Sequence, residues 1–138
     1  MKQIFFLTTL VSFLFGILSC NDSTCKDPLS INLGIDDDCQ YSKVAFYITT
    51  GRYFNTNTLE PFNVTKSEVF INGKSAGTIS KIGIPNNCSS PGQVNHTLTS
   101  GSSVDWSNIV TLSNGATVTY SGTVDPSPNS PCITVKAD

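Results

Sequence analysis

Few side chains in this sequence have the types and spacing that chemistry requires. Gly73-Lys74-Ser75-Ala76-Gly77 spells G-x-S-x-G, the letters of a nucleophile elbow, in which a strand-to-helix turn exposes a serine to a histidine. The flanks of Ser75 read as two strands with no helical run, so a hairpin turn is expected there. Gly73-Lys74-Ser75 also ends like a phosphate-binding loop, but Glu68 stands where the first glycine of that loop belongs. His96, the one histidine, falls between Val94 and Leu98 in an alternating run, which predicts a half-buried histidine bonded to a neighbour and not a base or ligand. Asp36-Asp37-Asp38 offers carboxylates to Ca²⁺, yet consecutive residues of an extended chain cannot all face one ion that takes ~6–8 oxygens. A solvated loop is expected instead. No catalytic group and no cofactor follow from these residues.

Two other sets carry more information. Tyr53 and Phe54 lie in a stretch of turn residues with no evident burial partner, and form the candidate contact for a ligand or partner. Tyr41, Tyr47 and Trp106 are further aromatics available to a sugar platform, although strand alternation assigns Trp106 to the core. The chain has five cysteines. Cys25, Cys39, Cys88 and Cys132 form an even set that allows three pairings, of which the nearest-neighbour choice joins Cys25 to Cys39 and Cys88 to Cys132. No C-x₂₋₄-C spacing occurs among these four, which argues against a zinc site.

The fifth cysteine has a different setting. Residues 1–19, MKQIFFLTTLVSFLFGILS, place Lys2 before an uncharged run from Ile4 to Leu18 and a small residue before Cys20. This is the pattern of a cleaved export signal, shorter than the ~20 apolar residues of a membrane-spanning helix. Ile17-Leu18-Ser19-Cys20 resembles the lipobox of bacterial lipoproteins. The resemblance implies cleavage after Ser19 and a diacylglycerol on the sulfur of Cys20, and at ~0.8 kcal/mol per buried CH₂ two or three acyl chains hold a small domain on a membrane. Asn21 follows the cysteine where an inner-membrane retention signal would have Asp, which points to the outer membrane. Export also supplies the oxidising compartment in which disulfides form.

Composition narrows the classes further. Ser, Thr and Asn make up 46 of 138 residues, and 13% are charged with a formal net charge of −2. Such a chain favours strands and turns over helices. It has no basic cluster to neutralise a phosphate backbone, so nucleic acid is not an expected partner.

The elements that position these residues are short strands. Residues 20–40 read as a lipid-anchored tether that becomes ordered near a Cys25 to Cys39 loop. From Tyr41 to residue 138 the chain reads as one β-sandwich domain. Val44, Phe46 and Ile48 share a strand face, whereas residues 51–66 show no sustained period and read as a long loop or edge excursion. Ser67 to Ile71 and Ala76 to Lys81 flank Asn72-Gly73, the signature of a tight hairpin. Gln93 to Thr99 alternates and Ser100-Gly101-Ser102 turns the chain. Val104 to Leu112 then places Val104, Trp106, Val110 and Leu112 on one face, interrupted at Asn108. Ser113-Asn114-Gly115 turns into Ala116 to Val124, with Val118, Tyr120 and Gly122 inward. Prolines at 126, 128 and 131 exclude a central strand before Cys132 to Ala137. The expectation is an all-β, small antiparallel immunoglobulin-like sandwich of about seven strands.

Val69 to Ile79, with its turn glycine and Gly77-Thr78, resembles the hairpin of PEGA-like and carboxypeptidase-regulatory-like β-sandwiches. The continuation resembles small bacterial cell-envelope lipoproteins. They share the Pro/Cys loop from Pro85 to Pro91 with Cys88, the Tyr120-Ser121-Gly122-Thr123-Val124 strand, and a cysteine, Cys132, opening the last strand. The match covers roughly residues 67–137. No proline follows Gly77-Thr78 as it often does in PEGA repeats, and residues 25–66 have no counterpart. The resemblance implies a non-catalytic, surface-associated module, structural or contacting an envelope protein. The alternative, carried by the Tyr53 and Phe54 stretch and not by the resemblance, is a carbohydrate-binding or enzyme-inhibiting lipoprotein.

Overall fold

A computed structural model describes residues 24–99 and 102–138. The export signal, Cys20 and the turn expected at Ser100-Gly101 lie outside them. The described residues contain no helix and eight strands: β1 (Lys43–Tyr47), β2 (Arg52–Phe54), β3 (Pro61–Ile71), β4 (Lys74–Thr78), β5 (Val94–Thr97), β6 (Val104–Leu112), β7 (Thr117–Val124) and β8 (Cys132–Lys136). One sheet has the order β5-β1-β8. The other has the order β2-β3-β6-β7, with β4 also paired to β3. The sandwich-like, all-β expectation holds, with two changes of detail. There are eight strands, and β8 runs parallel to β1, so the fold is mixed and not wholly antiparallel.

The core lies between the sheets. β1 sends Val44 and Phe46 inward, with Ile48 just beyond it, to meet Val69 and Ile71 of β3, Val104 of β6 and Val124 of β7. Phe46 is wholly shielded, a burial that contributes about 1.5–3 kcal/mol. Its ring centroid lies 5.7 Å from that of Trp106, so the tryptophan belongs to the core edge, as alternation predicts. Trp106 is paired across the sheet with Gly122. A Cβ at Gly122 would stand 3.1–3.2 Å from the indole, so the glycine makes room for the ring.

Asn108 does not interrupt the β6 pattern. It faces the core fully buried, because its side chain is satisfied there. Its Oδ1 accepts from Ser67 Oγ at 3.0 Å, and its Nδ2 donates to the Ala137 carbonyl at 2.7 Å. The second bond joins the large sheet to the chain just after β8. A buried amide without such partners costs about 1–3 kcal/mol.

Residues 51–66 are a second correction. They hold β2, which lies at the sheet edge, and the first half of β3, so the edge alternative fits β2 and the long loop does not. The alternation is masked by a shift of register between Val64 and Lys66 where β3 meets β6. A bulge moves the inward set from Phe62 and Val64 to Ser67, Val69 and Ile71, and a fixed period of two cannot span it. Pro61 is tolerated because it opens the strand.

The Asn72-Gly73 hairpin is as expected. Both residues have positive φ, 48° and 76°, and Ile71 pairs directly with Lys74. The second strand therefore begins at Lys74, two residues earlier than the sequence pattern suggests.

Residues 24–40, expected to become ordered near the Cys25 to Cys39 loop, form a compact knot closed by that disulfide. The Cys25 and Ile35 backbones bond through Cys25 N–H at 3.0 Å, Ile31 N–H reaches the Gln40 carbonyl at 2.8 Å, and the Asn32 side chain clasps Gln40 N–H and the Asp38 carbonyl. Polar side chains supply the order that a small apolar core supplies elsewhere.

Candidate functional site

Both nearest-neighbour disulfides are present. Cys25 and Cys39 are bonded with Cα atoms 4.8 Å apart, and Cys88 and Cys132 with Cα atoms 5.6 Å apart. The first closes the knot. The second ties the loop after β4 to the start of β8, and brings Cys88 Sγ to 3.2 Å from the Lys43 carbonyl of β1. That approach is a packing contact, because a disulfide sulfur has no proton to donate.

Between the two disulfides lies a groove of about 680 Å³, within the size range of small-ligand sites. Ile31, Tyr41, Leu98 and Pro131 provide apolar wall, and Gln40, Lys43, Asn87 and Thr97 provide polar groups. Tyr41 fixes one side. Its hydroxyl donates to Asp27 Oδ2 at 2.7 Å, and Leu29 N–H donates to Asp27 Oδ1 at 2.9 Å. The Tyr41 bond, and then the Leu29 bond, hold the Asp27 carboxyl below its ordinary range, while the same bond and burial raise Tyr41. Knot and sandwich thus meet at a charge-assisted hydrogen bond.

Tyr53 and Phe54 do not form one patch. They are neighbours on β2, and successive strand residues face opposite sides. Phe54 is 62% exposed. Tyr53 is half-buried on the inward side, and its hydroxyl meets that of Tyr120 at 2.9 Å across β3 and β6. Burial first, and the Tyr120 bond second, push Tyr53 well above the usual tyrosine range. Phe54 instead shares the β2–β3 hairpin with Leu59, which is 72% exposed at φ 58°. Asn55 builds that turn by accepting from the Asn57 and Thr58 N–H groups through its side chain. Nothing in the sequence around Leu59 announces this conformation, because a leucine rarely adopts it.

Ser75 and His96 line one shallow cleft near the Asn72-Gly73 turn. The Ser75 hydroxyl donates to Glu68 Oε1 at 2.9 Å. Glu68 is held as a carboxylate, by Lys66 first and Ser75 second. A strand serine whose proton is given to a carboxylate lacks the strand-to-helix geometry of an elbow. His96 is half-buried, as alternation predicts. Asp36, Asp37 and Asp38 are exposed, and Asp37 Oδ1 accepts from the Asp38 backbone. Among the described residues no cluster of His, Cys, Asp and Glu is placed to hold a metal ion.

These features define a small, disulfide-bonded, all-β sandwich-like domain with a groove at its knot end. Set against known protein families, curated proteins and solved structures, the chain matches none.

Proposed function

We propose that this protein is a non-catalytic lipoprotein of the bacterial cell envelope, held on the outer membrane through Cys20 and serving as a structural or protein-interaction module. The observation that carries the reading is cysteine pairing. Cys25, Cys39, Cys88 and Cys132 pair among themselves, which leaves Cys20, at the end of a lipobox-like Ile17-Leu18-Ser19 run, as the odd thiol available for acylation. Two disulfides also accord with an exported chain. The partial resemblance of residues 67–137 to envelope lipoproteins points the same way. The test is membrane fractionation of Cys20→Ser: the variant leaves the membrane fraction, and unchanged fractionation refutes the anchor.

A second reading, a glycan-binding or enzyme-inhibiting surface lipoprotein, is favoured by the groove between the disulfides. Amide and hydroxyl groups around apolar wall suit a sugar or an extended peptide. Saturable binding of soluble peptidoglycan fragments, lost in Lys43→Glu and retained in Phe54→Ala, supports that groove. Loss in Phe54→Ala alone moves the contact to the β2–β3 hairpin.

A further inference from the structure

The two edges of the larger sheet are built differently. On one side β3 carries β2, of three residues, and β4, whose pairing is broken by a register shift at Val69/Phe70. Arg52 and Lys74 add charge to those short strands. This is how proteins blunt a sheet edge against unwanted pairing. On the other side β7 runs eight residues, Thr117 to Val124, in unbroken register with β6. It has no proline, no bulge and no charged residue.

The hydrogen-bond phase identifies which groups are open. Leu112 N–H donates to the Ala116 carbonyl, and Asn72 N–H to the Asp105 carbonyl. With the β6–β7 register, the first bond turns the even-numbered residues of β7 toward β6. Thr117, Thr119, Ser121 and Thr123 therefore direct their backbone N–H and C=O groups outward. All four are exposed, and among the described residues no backbone group bonds to them from the open side. Unpaired backbone at a sheet edge is a template for another strand.

We infer that β7 is a homodimerisation edge, occupied by β7 of a second copy in antiparallel pairing about Tyr120. That register sets Thr119 opposite Ser121 and Thr117 opposite Thr123, so outward groups meet outward groups. The uncharged strand brings no like charges together. Asp125, just beyond its end, falls opposite Gly115, whereas parallel pairing would set it against its own copy. Because the opposite edge is blunted, pairing stops at a closed two-fold dimer and does not propagate. The inference goes beyond the proposed module and does not depend on the lipid anchor.

The experiment is sedimentation equilibrium of the full chain in a density-matched detergent, comparing wild type with Ser121→Pro and Thr119→Lys. Ser121 N–H faces the open edge, so proline there removes an intermolecular donor and leaves the β6 ladder intact. Thr119→Lys keeps every backbone group and sets two ammonium groups diagonally across the joint. Wild type sediments as a dimer, and each variant raises the dissociation constant about tenfold or more, while the melting transition of the dissociated monomer, taken at concentrations below the dissociation constant, is unchanged. A monomeric wild type overturns the inference, including where β7 captures a strand of another protein. A Thr119→Lys variant that stays fully dimeric also overturns it, whether or not the proline variant folds.

Discussion

The knot at residues 24–40 and the sandwich that follows are each closed by one disulfide, but order is maintained by different forces. The sandwich buries Val44, Phe46 and Val69 completely and uses one satisfied amide, Asn108, to join its layers. The knot has Leu33 and Ile35 each 57% exposed, and is held by backbone and Asn32 hydrogen bonds and the Tyr41–Asp27 contact. A segment with few buried apolar contacts opens at low free energy, and one built on a core opens only globally. The difference places the stability of the molecule in the sandwich and makes the knot a separately breakable linker to it.

The largest expected effect is on the sandwich. Cys88 and Cys132 close 44 residues of sequence, and the chain-entropy model gives about 4 kcal/mol for such a loop. Replacing both by Ser lowers denaturant stability by roughly that amount; a midpoint shift no larger than that of the Cys25/Cys39 pair removes the distinction. Asn108→Ala comes next, at about 2–4 kcal/mol, because it strands the Ala137 carbonyl and the Ser67 hydroxyl in the core. Asn108→Asp, also unable to donate to Ala137 when ionised, is impaired similarly, and stability near wild type in both variants shows that the layers do not need this link.

Cys25→Ser with Cys39→Ser sharpens the comparison. Exchange protection disappears at the Ile31 and Gly34 amides, while Leu98 and the β1 amides stay protected; simultaneous loss in both regions means that knot and sandwich unfold together. The smallest effect is acid-dependent. Asp27 has a lowered folded pKa, so its contribution is complete above the unfolded value, 3.8, and is lost as pH falls through the lower folded value. Asp27→Asn removes that acid dependence from the knot signal, and an identical acid profile in variant and wild type excludes the Tyr41–Asp27 contact as the joint.

Much of the sandwich was legible because its strands alternate in register. Val44, Phe46 and Ile48, and Val104, Trp106, Val110 and Leu112, are inward as their period dictates. The Asn72-Gly73 turn has the φ values its residues allow, and the two disulfides join nearest neighbours in sequence. What escaped reading depends on contacts distant in sequence or on breaks of period. The Val64/Lys66 bulge hid half of β3. Asn108 looked like an interruption because its partners, Ser67 and Ala137, are 41 and 29 residues away. The parallel β1–β8 pairing leaves no local trace, since either direction suits a short terminal strand. At the candidate contact, the sequence sets Tyr53 and Phe54 side by side in an apparent loop. Once β2 is a strand they must separate, and Tyr120, three strand steps from β2 across β3 and β6, takes one of them. The groove was invisible because its walls come from the knot, β1, the Cys88 loop and the end of β5.

The most direct test is the mass of the mature chain, purified from membranes without reduction and read as N-terminal and cysteine-containing peptides. The expected result is an amino terminus at Cys20 carrying diacylglycerol, with Cys25 linked to Cys39 and Cys88 linked to Cys132. An unmodified Cys20, or a Cys20 found in disulfide with any of the other four, contradicts it.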